Sequence, residues 1–429
     1  MTRNTTGSSS TTGPMIIIGT LFFIFGFVTW LNGPLITYAK LAFNLDTYAK
    51  AFMVTTAFYM AYFFLALPSS WILEKTGMKR GMAIGLLVMA VGTFMFGTFA
   101  TQRDYTLSLV GLFVIGSGLY LLQTASNPYV SILGPIETAA RRISIMGICN
   151  KVAGILSPII ISALVFSGVT DLEEQVASAP TEAARNAILN EFAAQIYWPY
   201  MVMAIILVAL AFWILKSALP DLDPATANEQ PVGDARESKE KTSILQFPHL
   251  LLGALCIFLY VGVEVMAGDA IGAYAQGFNI PAGETTIYTS FTLGAMLVGY
   301  LIGLATIPKI MTQEQALTIS AVLGLVFSVG AYLTTGYVSV AFVALLGLAN
   351  ALMWPAIWPL AISGLGRFTE KGSALLVMGI AGGAVIPQLS ASLKDIYDFQ
   401  WVFLILMGGC YLYILFYSKV GFKVGKKVV

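Results

Sequence analysis

The sequence predicts an all-α membrane protein with twelve transmembrane helices in two six-helix repeats. Three observations lead to this prediction: the composition, a series of long apolar segments, and a weak internal repeat. Of the 429 residues, 57% are hydrophobic and only 10% are charged, and the mean hydropathy is +0.81. Because a soluble domain carries about 25% charged residues, this composition excludes a soluble protein. The net charge of +1 gives no reason to expect a nucleic-acid partner.

Twelve apolar windows have the length that a bilayer requires of a helix, about 20 residues. They lie near 15–39, 48–73, 81–101, 106–134, 142–169, 196–218, 248–276, 285–308, 314–334, 337–364, 371–393 and 399–421. A charged, proline-containing stretch follows the sixth window and predicts a linker. The predicted organisation is a polar tail (1–14), a first bundle (15–218), a linker (219–247), a second bundle (248–421) and a basic tail (422–429).

The charges between the windows predict the orientation. If both termini are cytoplasmic, 17 lysines and arginines lie on the cytoplasmic side and 5 lie outside, while Lys151 falls within a helix. This asymmetry follows the positive-inside rule. The sequence therefore predicts a multi-pass protein of the cytoplasmic (inner) membrane, with both termini in the cytoplasm.

The two halves of the chain resemble each other in three places. Segment 31–45 matches 265–280 with Gly33 over Gly268, segment 116–134 matches 347–365, and segment 145–154 matches 377–386. All three matches have offsets of 231 to 235 residues. A parallel repeat of six plus six helices is typical of secondary transporters, whose binding site lies near the bilayer midplane between the halves.

Three strongly ionisable residues lie well within the predicted helices: Lys151, Glu264 and Asp269. A charge at the centre of a membrane helix costs about 3 kcal/mol, so each needs water or a partner. One ammonium neutralises only one of the two carboxylates, which leaves an acid for a proton or a metal ion. We therefore assign all three residues to cation coupling. The alternative is a purely structural ion pair that ties the halves together.

Breaks are predicted in two helices. Gly268 precedes Asp269 and is expected to interrupt the seventh helix, so that backbone carbonyls turn toward the binding cavity. Asn32-Gly33-Pro34 is expected to interrupt the first helix in the same way. An acid beside such a break supplies oxygen ligands, which favours sodium over a proton and makes Asp269 the candidate sodium ligand.

The uncharged polar residues of the helices favour a sugar. Amides bond hydroxyl groups in two directions, and an indole ring covers the apolar face of a sugar ring. The candidate sugar-binding residues are Asn32, Gln123, Asn127, Asn150, Glu264, Asn350, Trp354, Trp358 and Gln388. The alternative is that the amides join helices and the tryptophans are anchors. Trp30 is assigned to anchoring or the core.

Features of an enzyme are missing from the sequence. It contains no Walker A loop, no HExxH motif and no paired-cysteine spacing, and the three cysteines lie far apart in apolar segments. His249, at the end of the linker, is expected to be too exposed for a buried catalytic site. We therefore expect neither catalysis nor a cofactor beyond the coupling ion. A membrane sugar sensor that does not transport remains the alternative outside the transporter class.

Several stretches resemble the major facilitator superfamily, and more narrowly its fucose–galactose–glucose:cation symporter family. They are FFIFGFVTWLNGPL (22–35), LLQTASNPYVSILGPIETAARRISIMGICNKVAGI (121–155) and NALMWPAIWPLAISGLGRFTEKGSALLVMGIAGGAVIP (350–387). The resemblance implies the major facilitator fold. It also implies that Asn150 contacts the sugar, because the family has a sugar-contacting asparagine there.

The resemblance also contains departures from the family pattern. Proton-coupled fucose members carry a glutamate at the position of Gln123 and an aspartate at that of Gly33, so their proton relay cannot be copied here. The CNK segment (149–151) is more similar to the sodium-driven glucose transporters of the family. In effect, the acid has moved from the first helix to the seventh, where Asp269 follows the glycine that mirrors Gly33.

Together these observations predict a symporter that moves a monosaccharide, such as glucose or galactose, into the cell with a cation by alternating access. Sodium is the preferred ion, with a proton as the alternative. An N-acetylhexosamine or another hexose is the alternative substrate. The expected partners are the sugar, the cation and the lipid bilayer, and the protein is expected to be a monomer.

Overall fold

The computed structural model describes residues 12–133, 139–167, 169–219 and 242–426. Within these ranges the regular elements are helices, and no strand occurs. The linker at 219–247 and the tails at 1–14 and 422–429 lie largely or partly outside the described residues. Their boundaries therefore stay predictions.

Eleven described segments are long and apolar enough to cross a membrane, and Met53–Phe64 is a shorter apolar helix. This shorter helix leads into Ala66–Thr101, whose backbone turns sharply at Gly77 (φ 75°, ψ 168°). The turn separates the second and third membrane helices. We number the membrane helices α1 (Thr12–Thr29 and Asn32–Ala42), α2 (Met53–Phe64 and 66–76), α3 (78–101), α4 (Tyr105–Ile132), α5 (Ala139–Val165), α6 (Tyr197–Lys216), α7 (Pro248–Gly268 and Ile271–Gln276), α8 (Tyr288–Thr306), α9 (Gln313–Leu333), α10 (Gly336–Asn350 and Met353–Ile362), α11 (Thr369–Met378 and Gly382–Lys394) and α12 (Phe399–Lys419).

The connection between α5 and α6 contains two helices that the apolar windows did not predict, Val169–Ser178 and Glu182–Ala194. Their sequences are too polar for a membrane window. The second helix is capped by the Thr181 hydroxyl, which accepts from the Ala184 N–H. It is tied to α1 because the Tyr38 hydroxyl donates to the Ala193 carbonyl at 2.8 Å.

Both predicted breaks are present, and the one in α7 follows Gly268 as expected. The N–H groups of Asp269 and Ala270 both donate to the Val265 carbonyl, at 2.8 and 3.1 Å, before the helix resumes at Ile271. The break in α1 comes earlier than expected, at residues 30–31, and the next segment starts at Asn32. Pro34 therefore lies in a first helical turn, where its missing N–H costs nothing.

The internal repeat is visible in the helix packing. In the first half, Gly26 of α1 packs on the Asn150 carbonyl of α5, so closely that any side chain would overlap it. In the second half, Gly382 of α11 packs in the same way on the Phe258 carbonyl of α7. The second pair lies 232 residues further along the chain than the first, with the glycine on the opposite helix. The two halves therefore share one crossing geometry, in which a small residue allows close helix approach.

The halves also meet at the membrane side opposite to the described chain ends, which we call the far side. There, the Tyr48 hydroxyl donates to Gln276 at 2.7 Å, and the Thr56 hydroxyl donates to Gln388 at 3.1 Å. The Lys394 ammonium lies 3.2 Å from the centre of the Tyr48 ring. We call these five residues the far-side cluster. It joins α2 and the short helix Tyr48–Ala51 before it to α7 and α11.

One expectation about the loop before α7 was wrong. His249 is 1% exposed, and its Nε2 lies 2.9 Å from the Ser363 carbonyl. It is buried because α7 begins at Pro248, so that His249 already lies within the second half.

Candidate functional site

An ion pair between the two halves forms the centre of the site. The Lys151 ammonium of α5 lies 3.2 Å from an oxygen of Glu264 of α7, and their side chains are 8% and 14% exposed. Each half contributes one charge, so a movement of the halves must stretch or re-aim this pair. The attraction between two buried charges offsets the free-energy cost of removing them from water only while the two groups stay in contact. Of the two acids in α7, Glu264 is therefore the one that Lys151 neutralises.

The second acid, Asp269, has no ion-pair partner within the described ranges. It is 1% exposed, and neither carboxylate oxygen accepts a hydrogen bond of normal geometry from the described residues. The Gly33 N–H and the Tyr59 hydroxyl lie next to the carboxylate without completing such a bond. A bare carboxylate is costly in these surroundings, and a proton or a cation removes that cost.

Three backbone oxygens at the α7 break accept hydrogen bonds. The Thr289 hydroxyl donates to the Gly268 carbonyl and the Thr292 hydroxyl donates to the Ala267 carbonyl, both at 2.8 Å. The Val265 carbonyl accepts the two N–H groups described above. A metal ion beside Asp269 would therefore have to share these three carbonyls with hydrogen bonds from α8 and from α7 itself. The assignment of Asp269 to sodium stays a prediction.

Aromatic rings continue the site from the ion pair toward the chain-end side. Tyr260 lies one helical turn before Glu264 on α7, and its ring is 6.4 Å from that of Trp354. Trp354 in turn stacks on Trp358, with ring centres 5.2 Å apart and planes inclined by 27°. This spacing leaves no room for a sugar between the two indoles. A sugar would have to cover a free face of the stack, and both tryptophans are only half-buried.

Three of the predicted amides lie inside the bundle. Asn32 is 1% exposed and donates to the Thr29 carbonyl at 3.1 Å, which closes the α1 break. The Asn150 amide lies 3.4 Å from the Phe22 carbonyl. Asn350 is fully buried, and its oxygen accepts from the Tyr411 hydroxyl at 2.8 Å. The Asn350 NH₂ group has no hydrogen-bond partner among the described residues.

The other three amides lie apart from these. Gln388 belongs to the far-side cluster, where it also donates to the Ala49 carbonyl at 2.9 Å. Gln123 is half-buried on α4, and Asn127 is exposed one turn later. The structure thus joins Lys151 with Glu264 and Trp354 with Trp358, while Gln388 takes part in joining the two halves at the far side. A role of these amides in binding sugar stays a prediction.

Several residues next to the charged groups were not predicted for the site. Tyr59 lies beside Asp269, and Thr289 and Thr292 bond the α7 break. Hydroxyl residues are common in membrane helices, so no pattern distinguishes these three. Trp30, assigned to anchoring or the core, is 3% exposed, and its ring centre is 4.7 Å from the Lys151 ammonium. Its position two residues before Asn32 was the available signal.

The comparisons with known proteins agree with this architecture. A family model described as Major Facilitator Superfamily matches residues 18–386. The chain is 34% identical over 406 residues to the glucose/galactose transporter of Brucella abortus biovar 1 (strain 9-941), covering 94% of this chain and 92% of the relative. It is 26% identical over 385 residues to the L-fucose-proton symporter of Escherichia coli (strain K12), covering 89% of this chain and 87% of the relative.

A solved structure has the same fold. It is the crystal structure of FucP, a major facilitator transporter in the outward conformation, with a TM-score of 0.73 and 25% sequence identity. The match covers 95% of this chain and 98% of FucP. The chain therefore belongs to the Major Facilitator Superfamily, and its fold is the major facilitator fold. Within the superfamily it belongs to the fucose–galactose–glucose:cation symporter family, as its sequence motifs indicated.

Proposed function

We propose that this protein is a symporter that carries a monosaccharide together with a cation by alternating access. The observation on which the proposal rests is the arrangement of three charges: Lys151 and Glu264 bridge the halves, and Asp269 has neither an ion-pair partner nor a hydrogen bond of normal geometry among the described residues. A purely structural ion pair would not need the second acid. The relatives named glucose/galactose transporter support a hexose as the substrate.

The sugar is proposed to bind between Glu264 and the Trp354–Trp358 stack. A carboxylate accepts hydrogen bonds from two sugar hydroxyls, and an indole face covers the apolar side of the ring. Glu264 keeps 14% of its side chain exposed, which leaves access for such hydroxyls while Lys151 holds the charge. The protein is proposed to act as a monomer in the inner membrane, with both termini in the cytoplasm.

The coupling ion is proposed to be a proton carried by Asp269. Three carbonyls at the α7 break accept hydrogen bonds from Thr289, Thr292 and the α7 backbone, so a sodium ion would have to share them. A proton needs none of these carbonyls, whereas sodium needs several oxygen ligands. The name of the Escherichia coli relative, L-fucose-proton symporter, also supports a proton. Sodium is the second candidate, because neither Asp269 oxygen accepts a hydrogen bond from the part of the chain that the structure describes, and both suit a hard cation.

Transport in liposomes tests the proposal. Purified protein is reconstituted, and counterflow of a labelled hexose panel identifies the substrate without any ion gradient. An imposed pH gradient or an imposed sodium gradient is then applied separately. We expect accumulation of the preferred hexose with the pH gradient and none with sodium alone. Accumulation with the sodium gradient only would identify sodium, the second candidate, as the coupling ion. Absence of counterflow for every hexose would contradict the proposed function.

A further inference from the structure

Trp30 occupies an unusual position for a tryptophan of a membrane protein. It lies at the α1 break and is 3% exposed, so it does not anchor the protein at the lipid interface. Its indole N–H is buried and has no hydrogen-bond partner among the described residues. The ring is therefore held by packing and by its π face, and not by its polar group.

Two glycines from different halves clamp the ring. A methyl group at Gly154 of α5 would lie 2.5 Å from Cδ1 of the indole. At Gly268 of α7, the three atoms nearest to such a methyl group all belong to the six-membered ring of Trp30, and the closest would overlap it. Neither glycine can carry a side chain while the indole stays in place. Trp30 thus fills the space between α5 and the α7 break.

The same ring contacts the cation of the central ion pair. The Lys151 ammonium lies 4.7 Å from the ring centre of Trp30, within the range of a cation–π contact, and 6.0 Å from that of Tyr300 on α8. Its third contact is the Glu264 carboxylate. The direction in which Lys151 points is therefore set by Trp30 and Tyr300 together with Glu264.

From these contacts we infer that Trp30 is a positioning residue that links the Asp269 site to the Lys151–Glu264 pair. Gly268, which supports one edge of the ring, directly precedes Asp269 at the break of α7. When Asp269 gains or loses its cation, the backbone at the α7 break changes, and Gly268 moves with it against the Trp30 ring. The ring then changes the contact with Lys151, and with it the pair that joins the halves. This inference rests on the proposed function, because it presumes that Asp269 carries the coupling cation.

Two substitutions of Trp30 separate positioning from packing. Trp30→Phe keeps an aromatic face and loses only an N–H that bonds none of the described residues, whereas Trp30→Met fills much of the space without a π face. The measurements are cation-driven accumulation of the hexose and counterflow without a gradient, both per folded protein in liposomes. We expect Trp30→Phe to retain both. We expect Trp30→Met to keep counterflow while its accumulation ratio falls about fivefold or more, the size of a typical coupling between sites.

A third variant acts on the ring from the other half. Gly268→Ala should displace the indole without changing Trp30 itself, and we expect the same loss of accumulation with retained counterflow. Combination with the smaller ring of Trp30→Phe should restore accumulation. The matched control is Gly294→Ala on α8, where an added methyl group meets nothing within 4 Å. If Trp30→Met does not fold, Gly268→Ala tests the same contact.

The outcomes separate the role of Trp30 from the proposed function of the protein. Unchanged accumulation in Trp30→Met, or in Gly268→Ala, overturns the role of Trp30 and leaves the symporter proposal intact. Equal loss of counterflow and accumulation in both variants would reduce Trp30 to a packing residue and also overturns it. A wild-type protein that performs neither counterflow nor accumulation contradicts the proposed function itself.

Discussion

Gly33 of α1 lies directly against Asp269 of α7, since a methyl group in place of its hydrogen would be 3.4 Å from the Asp269 Cα. Both residues lie beside the helix breaks of their halves, and the internal repeat pairs Gly33 with Gly268, the residue directly before Asp269. The contact brings the Gly33 N–H next to the Asp269 carboxylate. The same added methyl group would overlap the hydroxyl of Thr289, which bonds the Gly268 carbonyl. Glycine at position 33 therefore preserves the α7 break and the space around its acid.

The first prediction concerns this contact. Gly33→Ala should destabilise the protein by about 1–3 kcal/mol, because overpacking a filled site costs that much. Removal of the obstructing hydroxyl in Gly33→Ala/Thr289→Ala should recover part of the loss. Thermal unfolding in detergent measures both variants. Gly19→Ala, on the same helix, is the control, because its methyl group would meet neighbours only at 3.7 Å or more. Equal stability of Gly33→Ala and Gly19→Ala would contradict the close contact.

Much of this site follows from the sequence because the local rules are strong. Acids within an apolar helix need partners, and counting one lysine against two acids leaves one carboxylate unpaired. Glycine before Asp269 predicts the α7 break, and a proline after Gly33 predicts one in α1. These expectations depend only on neighbours along the chain. The α7 break and the order of the twelve membrane helices could be predicted for that reason, whereas the α1 break lies at residues 30–31, before the predicted Asn32-Gly33-Pro34.

The identity of each partner could not be predicted, because it depends on how helices rotate and cross. The sequence does not reveal that Lys151 points to Glu264 and not to Asp269. The spacing of Trp354 and Trp358 places both on one face of a helix, yet their mutual stacking follows from rotamers. The sequence makes Gln388 a candidate sugar-binding amide, and only the structure shows that it bonds Thr56 in the far-side cluster. Crossing geometry is set by packing across the whole bundle, which single-residue patterns do not contain.

The second prediction concerns the unpartnered acid. Asp269→Asn keeps the shape of the side chain, but the amide carries no negative charge and therefore cannot take up the coupling proton or cation. We expect this variant to exchange the hexose by counterflow at near wild-type rate and to accumulate none of it under a cation gradient. The two liposome assays measured side by side provide the test. Gradient-driven accumulation in Asp269→Asn would place the coupling ion elsewhere.

The third prediction concerns the ion pair. Lys151→Met leaves the buried Glu264 carboxylate without its cation, and loss of one partner of a buried pair costs about 3–5 kcal/mol. Lys151→Met/Glu264→Gln removes both charges and should recover most of that stability. Thermal unfolding of the single and double variants measures this recovery. Transport of the double variant then separates two roles: restored accumulation would make Glu264 a counter-ion only, and continued loss would assign it to the sugar or the ion.

The fourth prediction concerns the indole stack. Because Trp354 and Trp358 cover each other, each contributes at most one face to a sugar. Trp→Ala at the position that faces the sugar should weaken hexose binding by about 1–3 kcal/mol, as for a buried anchor residue. We expect the larger effect at Trp354, which lies nearer to Tyr260 and Glu264. Binding measured by calorimetry in detergent provides the comparison, and unchanged affinity in both variants would assign the stack to packing.

The fifth prediction concerns the far-side cluster. Gln388 accepts from Thr56 and donates to the Ala49 carbonyl, so Gln388→Leu removes two hydrogen bonds between the halves while it keeps the volume of the side chain. Each hydrogen bond contributes about 1 kcal/mol, and their loss should raise the far-side-open population about 5- to 30-fold. Ser392→Ala is the control on the same helix, because the Ser392 hydroxyl donates only within α11, to the Gln388 carbonyl.

The measurement uses a cysteine placed at Ala270, which is 5% exposed beneath the cluster, in a chain whose three native cysteines are replaced by alanine. When the cluster opens, water and a hydrophilic maleimide reach this position from the far side. Gln388→Leu should therefore label faster by the same factor as the open population, and Ser392→Ala should label at the original rate. Equal labelling of the two variants would mean that the far side is held closed by the apolar contacts of α2, α7 and α11 and not by these hydrogen bonds.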